Sequence, residues 1–217
     1  MIKLIIFDVD GVLVDTESIH RESLLDAVKY ITHLPESKFS HLINIDGKTT
    51  KHKLELLKNH LNLTDLQVSL IDDKKQQNVI RHFYRPLVSS PDQYGMFEGL
   101  KDDYKLAVAS NSRKENVLRI LNVLGITHYF PTILSNDDVE KHKPDPEIFL
   151  TVMKMEEVEP NETLILEDSE AGKYAAITSG AHVLPVGALS EVTLENIQNE
   201  IRKINTNNRS PNGGTGN

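Results

Sequence analysis

Ile2, Leu4, Ile5, Ile6 and Phe7 make a nearly continuous apolar run that stops on Asp8. A strand with one wet face alternates apolar and polar residues; a β-branched run without alternation belongs in a parallel sheet covered on both faces. Comparable runs recur at Leu106 to Ala109, at Ile133 and Leu134, at Leu164 to Leu166, and more weakly at Val183 and Leu184. Between them lie apolar residues at helical spacing: Val117, Leu121 and Leu124; Ile148, Val152 and Met155; Leu194, Ile197, Ile201 and Ile204. Strand and helix therefore alternate, which predicts an α/β fold, a Rossmann-like parallel sheet with helices on both faces. Asp145 and Pro146 are placed to start the second of these helices, and Gly125 and Gly180 to stop others.

The stretch from 15 to 99 breaks the alternation. Leu24, Val28 and Ile31, then Leu54, Leu57 and Leu61, then Val79, Ile80, Phe83 and Leu87 read as helices without strands between them. The expectation is a core domain of residues 1–14 and 100–204, with an α-helical domain inserted after the first strand. The insertion sets 11 Lys and Arg against 12 Asp and Glu, whereas the rest of the chain carries 13 against 20; six of the nine histidines also fall in it. Residues 205–217, rich in Asn, Gly, Ser and Thr, read as a disordered tail.

The 217 residues carry a formal charge of -8, which argues against a general nucleic-acid or membrane-surface binder. With no cysteine there are no disulfides, thiolate metal sites or thiol nucleophiles. No apolar stretch approaches the ~18 residues of a spanning helix or the ~7–15 of a signal-peptide core. A cytoplasmic protein, a monomer or weak dimer, is the expectation.

Ligands of open parallel sheets bind beyond the carboxyl ends of the strands. The polar residues there are Asp8 and Asp10, Ser110 and Asn111, Lys143, and Glu167 and Asp168. Asp8 and Asp10, two apart on an extended path, point to one side, and Gly11 lets the chain turn away. An Asp-x-Asp-Gly also serves as an ordinary turn. It is not a calcium hand, since Val12 and Leu13 stand where that loop needs a further Asp or Asn and a Gly. Glu167 and Asp168 bring a second acidic pair, and two such pairs repel unless a cation lies between them; hard oxygen ligands favour Mg²⁺. Asp168 or Ser169 also suits the cap of a following helix. Lys143 precedes Pro144, which holds it extended. A lone lysine or serine is most often a surface charge or a turn residue.

Asp8-Val9-Asp10-Gly11-Val12, Ser110-Asn111, Lys143-Pro144-Asp145 and Glu167-Asp168-Ser169 with Gly172, in that order, resemble the four motifs of the haloacid dehalogenase superfamily. The closest likeness is to its subgroup with a small helical cap, which contains β-phosphoglucomutase and many sugar-phosphate phosphatases. The resemblance covers residues 1 to about 190. It implies that Asp8 is the nucleophile that forms an aspartyl-phosphate and that Asp10 is the general acid and then the base. It further implies that Asp8, the Asp10 carbonyl, Asp168 and Glu167 hold Mg²⁺, that Ser110 and Lys143 clamp the phosphoryl oxygens, and that Asn111 is a further phosphate- or substrate-binding residue. His20 and the turn Asp46-Gly47-Lys48-Thr49-Thr50 match cap positions that contact substrate in the mutase. The mutase's phosphate-binding arginine falls on Thr50.

Three functions follow. The first is a Mg²⁺-dependent phosphatase of a small phosphorylated metabolite, favoured because Thr50 supplies no charge for a second phosphate. The second is a phosphosugar mutase, with Lys48 in the arginine's place. The third is a non-catalytic binding protein on the same fold, which would usually lack the nucleophile or the acid; neither is missing.

Overall fold

In the computed structural model, which describes residues 1–44, 50–83 and 91–207, the five apolar runs are all strands. The chain order is β1 (Leu4–Phe7), α1 (Thr16–Thr32), α2 (Ser40–Ile43), α3 (Thr50–Leu61), α4 (Asp65–Phe83), α5 (Pro91–Glu98), β2 (Lys105–Ala109), α6 (Lys114–Val123), β3 (Thr132–Leu134), α7 (Glu147–Glu156), β4 (Thr163–Glu167), α8 (Glu170–Thr178), β5 (His182–Pro185) and α9 (Leu194–Asn207). All strand pairings are parallel, and the order β3-β2-β1-β4-β5 puts β1 in the middle of the sheet. Its four residues are fully buried, as the unbroken apolar run requires. Phe7 is in register with Val108 on one side and Leu166 on the other. One residue further, Asp8 therefore comes level with Ala109 and Glu167.

The chain divides into two compact units, Met1–Asp15 with Leu87–Asn217, and Thr16–Pro86. In the first, Leu4, Ile6, Ala107, Ala109 and Ile165 on one face of the sheet pack against Ile148, Phe149, Val152 and Met153 of α7 and Ala175 and Ala176 of α8. On Phe7 the packing is aromatic. Its ring meets Phe97 and Phe130 edge-on, at centroid distances of 5.6 and 5.9 Å, and Phe97 stacks on Tyr129 at 5.1 Å. Phe97 belongs to α5, so this helix, within the 15–99 stretch that reads as an insertion, packs in the core unit. Helical spacing shows that a face is apolar but not which core it meets. In the second unit, Leu24, Ala27 and Val28 of α1 pack with Phe39, Ile43, Leu54, Leu57, Leu63 and Ile71.

Several ends differ from the sequence expectation. The last helix does not stop at Ile204: α9 continues to Asn207, and Asn205 Oδ1 accepts from the Ile2 N–H at 3.2 Å. Residues 208–217 lie outside the described residues. The cap position of α7 falls on Pro146 instead of Asp145, although Asp145 Oδ1 accepts from the Glu147 N–H at 3.1 Å. Gly125 and Gly180 end their helices at φ 68° and 83°, where a side chain would be strained. The α4 helix ends at Phe83, and Leu87 lies outside the described residues. Among the described residues no helix is long and apolar enough to cross a membrane.

If α5 is part of the core unit, Phe97→Ala removes a fully buried ring from the aromatic cluster on β1. The expected loss is about 3–5 kcal/mol in urea unfolding; a loss under about 1 kcal/mol would place α5 outside that core.

Candidate active site

The site is built where β1, β2 and β4 end. Asp8 extends β1 by one residue, and its N–H still donates to the Leu166 carbonyl at 3.1 Å. The chain then turns tightly: Gly11 N–H donates to Val14 O at 2.8 Å and Leu13 N–H to Val9 O at 2.9 Å. Gly11 has φ 78°, and a Cβ on it would lie 2.0 Å from Asp168 Oδ2. Only glycine meets both conditions.

Lys143 joins the strand ends. Its Nζ donates to Asp8 Oδ1 at 2.7 Å, to Glu167 Oε2 at 2.6 Å and to the Ala109 carbonyl at 2.9 Å. All three ammonium donors are thereby used. The Lys143 side chain is 2% exposed, against 7% for Asp8 and 1% for Glu167, so this is a buried ionic cluster with two carboxylates on one cation. The Nζ also lies 4.8 Å from the centre of the Phe149 ring.

Two serines complete the carboxylate bonding. Ser169 donates to Glu167 Oε1 from its N–H at 3.1 Å and its Oγ at 2.8 Å, and its Oγ accepts from the Gly172 N–H as the cap of α8. A Cβ on Gly172 would lie 2.0 Å from the Glu167 carboxyl carbon, so the glycine makes room for that carboxylate. Ser112 Oγ donates to Asp10 Oδ2 at 2.6 Å, and its N–H donates to Ser110 Oγ at 3.1 Å. Among the described residues no hydrogen bond takes Asp8 Oδ2.

Burial pushes Asp8 well above the ordinary carboxylate range; Lys143 pulls it down, while the charges of Glu167 and Asp10 push it up. Burial alone would lower Lys143, but Asp8 and Glu167 outweigh it and hold the ammonium above its ordinary value. Asp168 is raised to about 6, first by burial and then by the charge of Glu167.

Asp8, Glu167 and Asp168 each offer an oxygen within 4.8 Å of the others, an acidic group that could hold a metal ion. The donors are all hard oxygens and only one ammonium offsets them, a combination that fits Mg²⁺.

Of the residues singled out in the sequence, Asp8, Asp10, Ser110, Asn111, Lys143, Glu167 and Asp168 meet at this edge of the first unit. Asn111 turns its amide onto the Lys143 main chain: Oδ1 accepts from the Lys143 N–H at 3.1 Å, and Nδ2 donates to the Lys143 carbonyl at 3.2 Å. His20 lies on α1 in the second unit, partly buried. Lys48 and Thr49 lie outside the described residues. Sequence reasoning missed Ser112 and the Ala109 carbonyl. Ser112 follows two candidates directly, but its bond to a residue 102 positions away leaves no local signature.

Residues 5–186 match the family described as haloacid dehalogenase-like hydrolase. The chain belongs to this family. It is 29% identical over 219 residues to the phosphorylated carbohydrates phosphatase of Thermotoga maritima, covering 93% of this chain and 99% of that one. It is 30% identical over 197 residues to the β-phosphoglucomutase of Bacillus subtilis, covering 85% and 83%. A solved haloacid dehalogenase-like protein of Agrobacterium tumefaciens superposes with a TM-score of 0.75 at 24% identity, over 94% of this chain and all of that one, a likeness of fold.

The raised Asp168 carries a pH consequence. A carboxyl whose folded value lies above its ordinary 3.8 is protonated more readily in the folded chain. It therefore takes stability from the metal-free protein as pH rises through about 6. A divalent cation held there would bind the carboxylate form and restore that stability. The Mg²⁺-induced rise in Tm should thus be larger at pH 7.5 than at pH 5; an equal rise at both, by differential scanning fluorimetry, would remove Asp168 from the metal group.

Proposed function

We propose that this hydrolase is a Mg²⁺-dependent phosphatase of small phosphorylated metabolites, with sugar phosphates the foremost class, acting through an aspartyl-phosphate on Asp8. The observation that carries the reading is the arrangement of Asp8: one carboxylate oxygen is tied to Lys143 and the other takes no hydrogen bond from the described residues, beside an acidic, metal-competent group. The phosphatase and mutase relatives both act on carbohydrate phosphates by their names, which supports that substrate class.

Asp8 Oδ2 attacks phosphorus and forms the new P–O bond in line with the ester oxygen, whose bond to phosphorus breaks. Asp10 gives that leaving oxygen its proton, so the alcohol departs neutral. Asp10, now a carboxylate, then takes a proton from water as the water oxygen attacks phosphorus; the Asp8–phosphorus bond breaks and inorganic phosphate leaves. Asp10 ends protonated and Asp8 free, as at the start. The Ser112 hydroxyl holds Asp10 Oδ2 and leaves Oδ1 for the proton. Lys143 supplies fixed positive charge against the approach of a dianion to a carboxylate. Mg²⁺, held by Asp8, Glu167 and Asp168 with the Asp10 carbonyl, would supply further charge neutralisation at the phosphoryl oxygens.

Substrate choice is assigned to the Thr16–Pro86 unit, with His20, Lys48 and Thr49 as its contacts. Thr50, the first residue of α3, carries no charge, which favours transfer to water over retention of a second phosphate. The similarity to a β-phosphoglucomutase keeps a mutase as the second reading. A panel of phosphorylated metabolites decides between them: Mg²⁺-dependent release of inorganic phosphate, abolished in Asp8→Asn and lowered about 10²–10⁴-fold in Asp10→Ala, is expected. Isomerised sugar phosphate stimulated by a bisphosphate would establish the mutase instead.

A further inference from the structure

Lys143 lies outside every strand and helix, so neither of its main-chain polar groups is held by regular structure. Both are taken by one side chain: the Asn111 amide accepts from the Lys143 N–H and donates to its carbonyl. A primary amide presents a donor and an acceptor side by side, as a peptide group in a neighbouring strand does. The lysine is also fixed at its far end, where Nζ donates to the carbonyl of Ala109, two residues before Asn111. A single turn of chain at the end of β2 therefore anchors both the root and the tip of Lys143. Between those anchors the stem is buried, and the ammonium is delivered to Asp8 and Glu167.

We propose that Asn111 is a positioning residue for Lys143 and not a substrate ligand. Its amide oxygen and one amide hydrogen are committed to the lysine main chain. Those two bonds set where the flexible lysine begins, and so whether its ammonium reaches the two carboxylates with both distances below 3 Å. Asn111 and Lys143 are 32 residues apart and lie in different connections of the sheet. Without the clamp, the loop before α7 is free to shift the lysine relative to Asp8. Misplacement of about 1 Å in such a group costs up to ~10²-fold in rate.

The inference rests on the phosphatase reading only for its kinetic arm. With the intact protein, Mg²⁺ and p-nitrophenyl phosphate as probe, Asn111→Ala should lower kcat roughly 10- to 100-fold and leave KM within about threefold. In the same variant, amide hydrogen exchange at Lys143, followed by NMR, should quicken at least about tenfold, because its N–H loses its acceptor. Asn111→Asp keeps an acceptor for that N–H and should keep most of its protection. A KM raised tenfold or more with kcat preserved would make Asn111 a substrate ligand and overturn the proposal. Unchanged exchange at Lys143 in Asn111→Ala would overturn it as well. If the unmodified protein turned over no phosphomonoester, the phosphatase reading would fail while the exchange arm still decided the role of Asn111.

Discussion

One buried ammonium between two buried carboxylates sets the terms for everything at this end of the sheet. Lys143 reaches Asp8 and Glu167 with almost no water around any of the three. Removing ions from water costs several kcal/mol each, and mutual attraction repays it only when geometry is good and the remaining polar atoms are bonded. The first condition is met, and the second is met for Lys143 and Glu167 but not for Asp8 Oδ2, which takes no hydrogen bond among the described residues. The register of β1 against β4 brings the carboxylates level, the Ala109 carbonyl takes the third ammonium hydrogen, and Ser169 serves the second oxygen of Glu167. The cluster nevertheless stays short of neutrality by one charge, and Asp168 adds another. Burial first, and then that surplus, lifts the protonation of Asp8 and Asp168; a divalent cation held there would offset the surplus.

Tight placement of charges requires space, and here the absence of side chains provides it. Gly11 lets Asp168 approach the turn after β1, and Gly172 lets the Glu167 carboxylate lie against the first turn of α8. These two glycines stand in different motifs but solve one packing problem. A methyl at either would displace a carboxylate of the metal-competent group. Glycine is disfavoured inside a helix, and its place in α8 is explained by this close approach, not by helix propensity.

Much of this was legible in the sequence because parallel strands convert position along the chain into position in space. Once Ile2 to Phe7, Leu106 to Ala109 and Leu164 to Leu166 are read as adjacent buried strands, the residues after each must share an edge. Asp8, Ser110 and Glu167 follow without knowledge of any contact. Amphipathic spacing carried less information about partners: α5 has an apolar face, but only packing shows that Phe97 meets Phe7. Composition was a poor guide to the end of α9, where residues that look like tail continue the helix and Asn205 accepts from the Ile2 N–H. Asn111 reads in the sequence as a phosphate or substrate ligand next to Ser110, yet its amide is spent on the Lys143 main chain. No periodicity encodes a bond across 32 residues between two loops.

In the proposed mechanism, the two oxygens of Asp8 resolve a conflict between burial and reactivity. A buried carboxylate is a stronger base than an exposed one, hence a better nucleophile when ionised, but burial also favours the protonated form that cannot attack. A cation on one oxygen shifts the balance back toward the carboxylate and fixes the plane of the group. The same cation bridging both oxygens would occupy the lone pairs needed for attack. Lys143 binds Oδ1 alone, held by its other contacts to Glu167 and Ala109, so its charge supports ionisation while Oδ2 stays available. The asymmetry depends on where the lysine begins as much as on where it ends. On that proposed mechanism, the bonds from Asn111 to the Lys143 main chain serve the chemistry of the site.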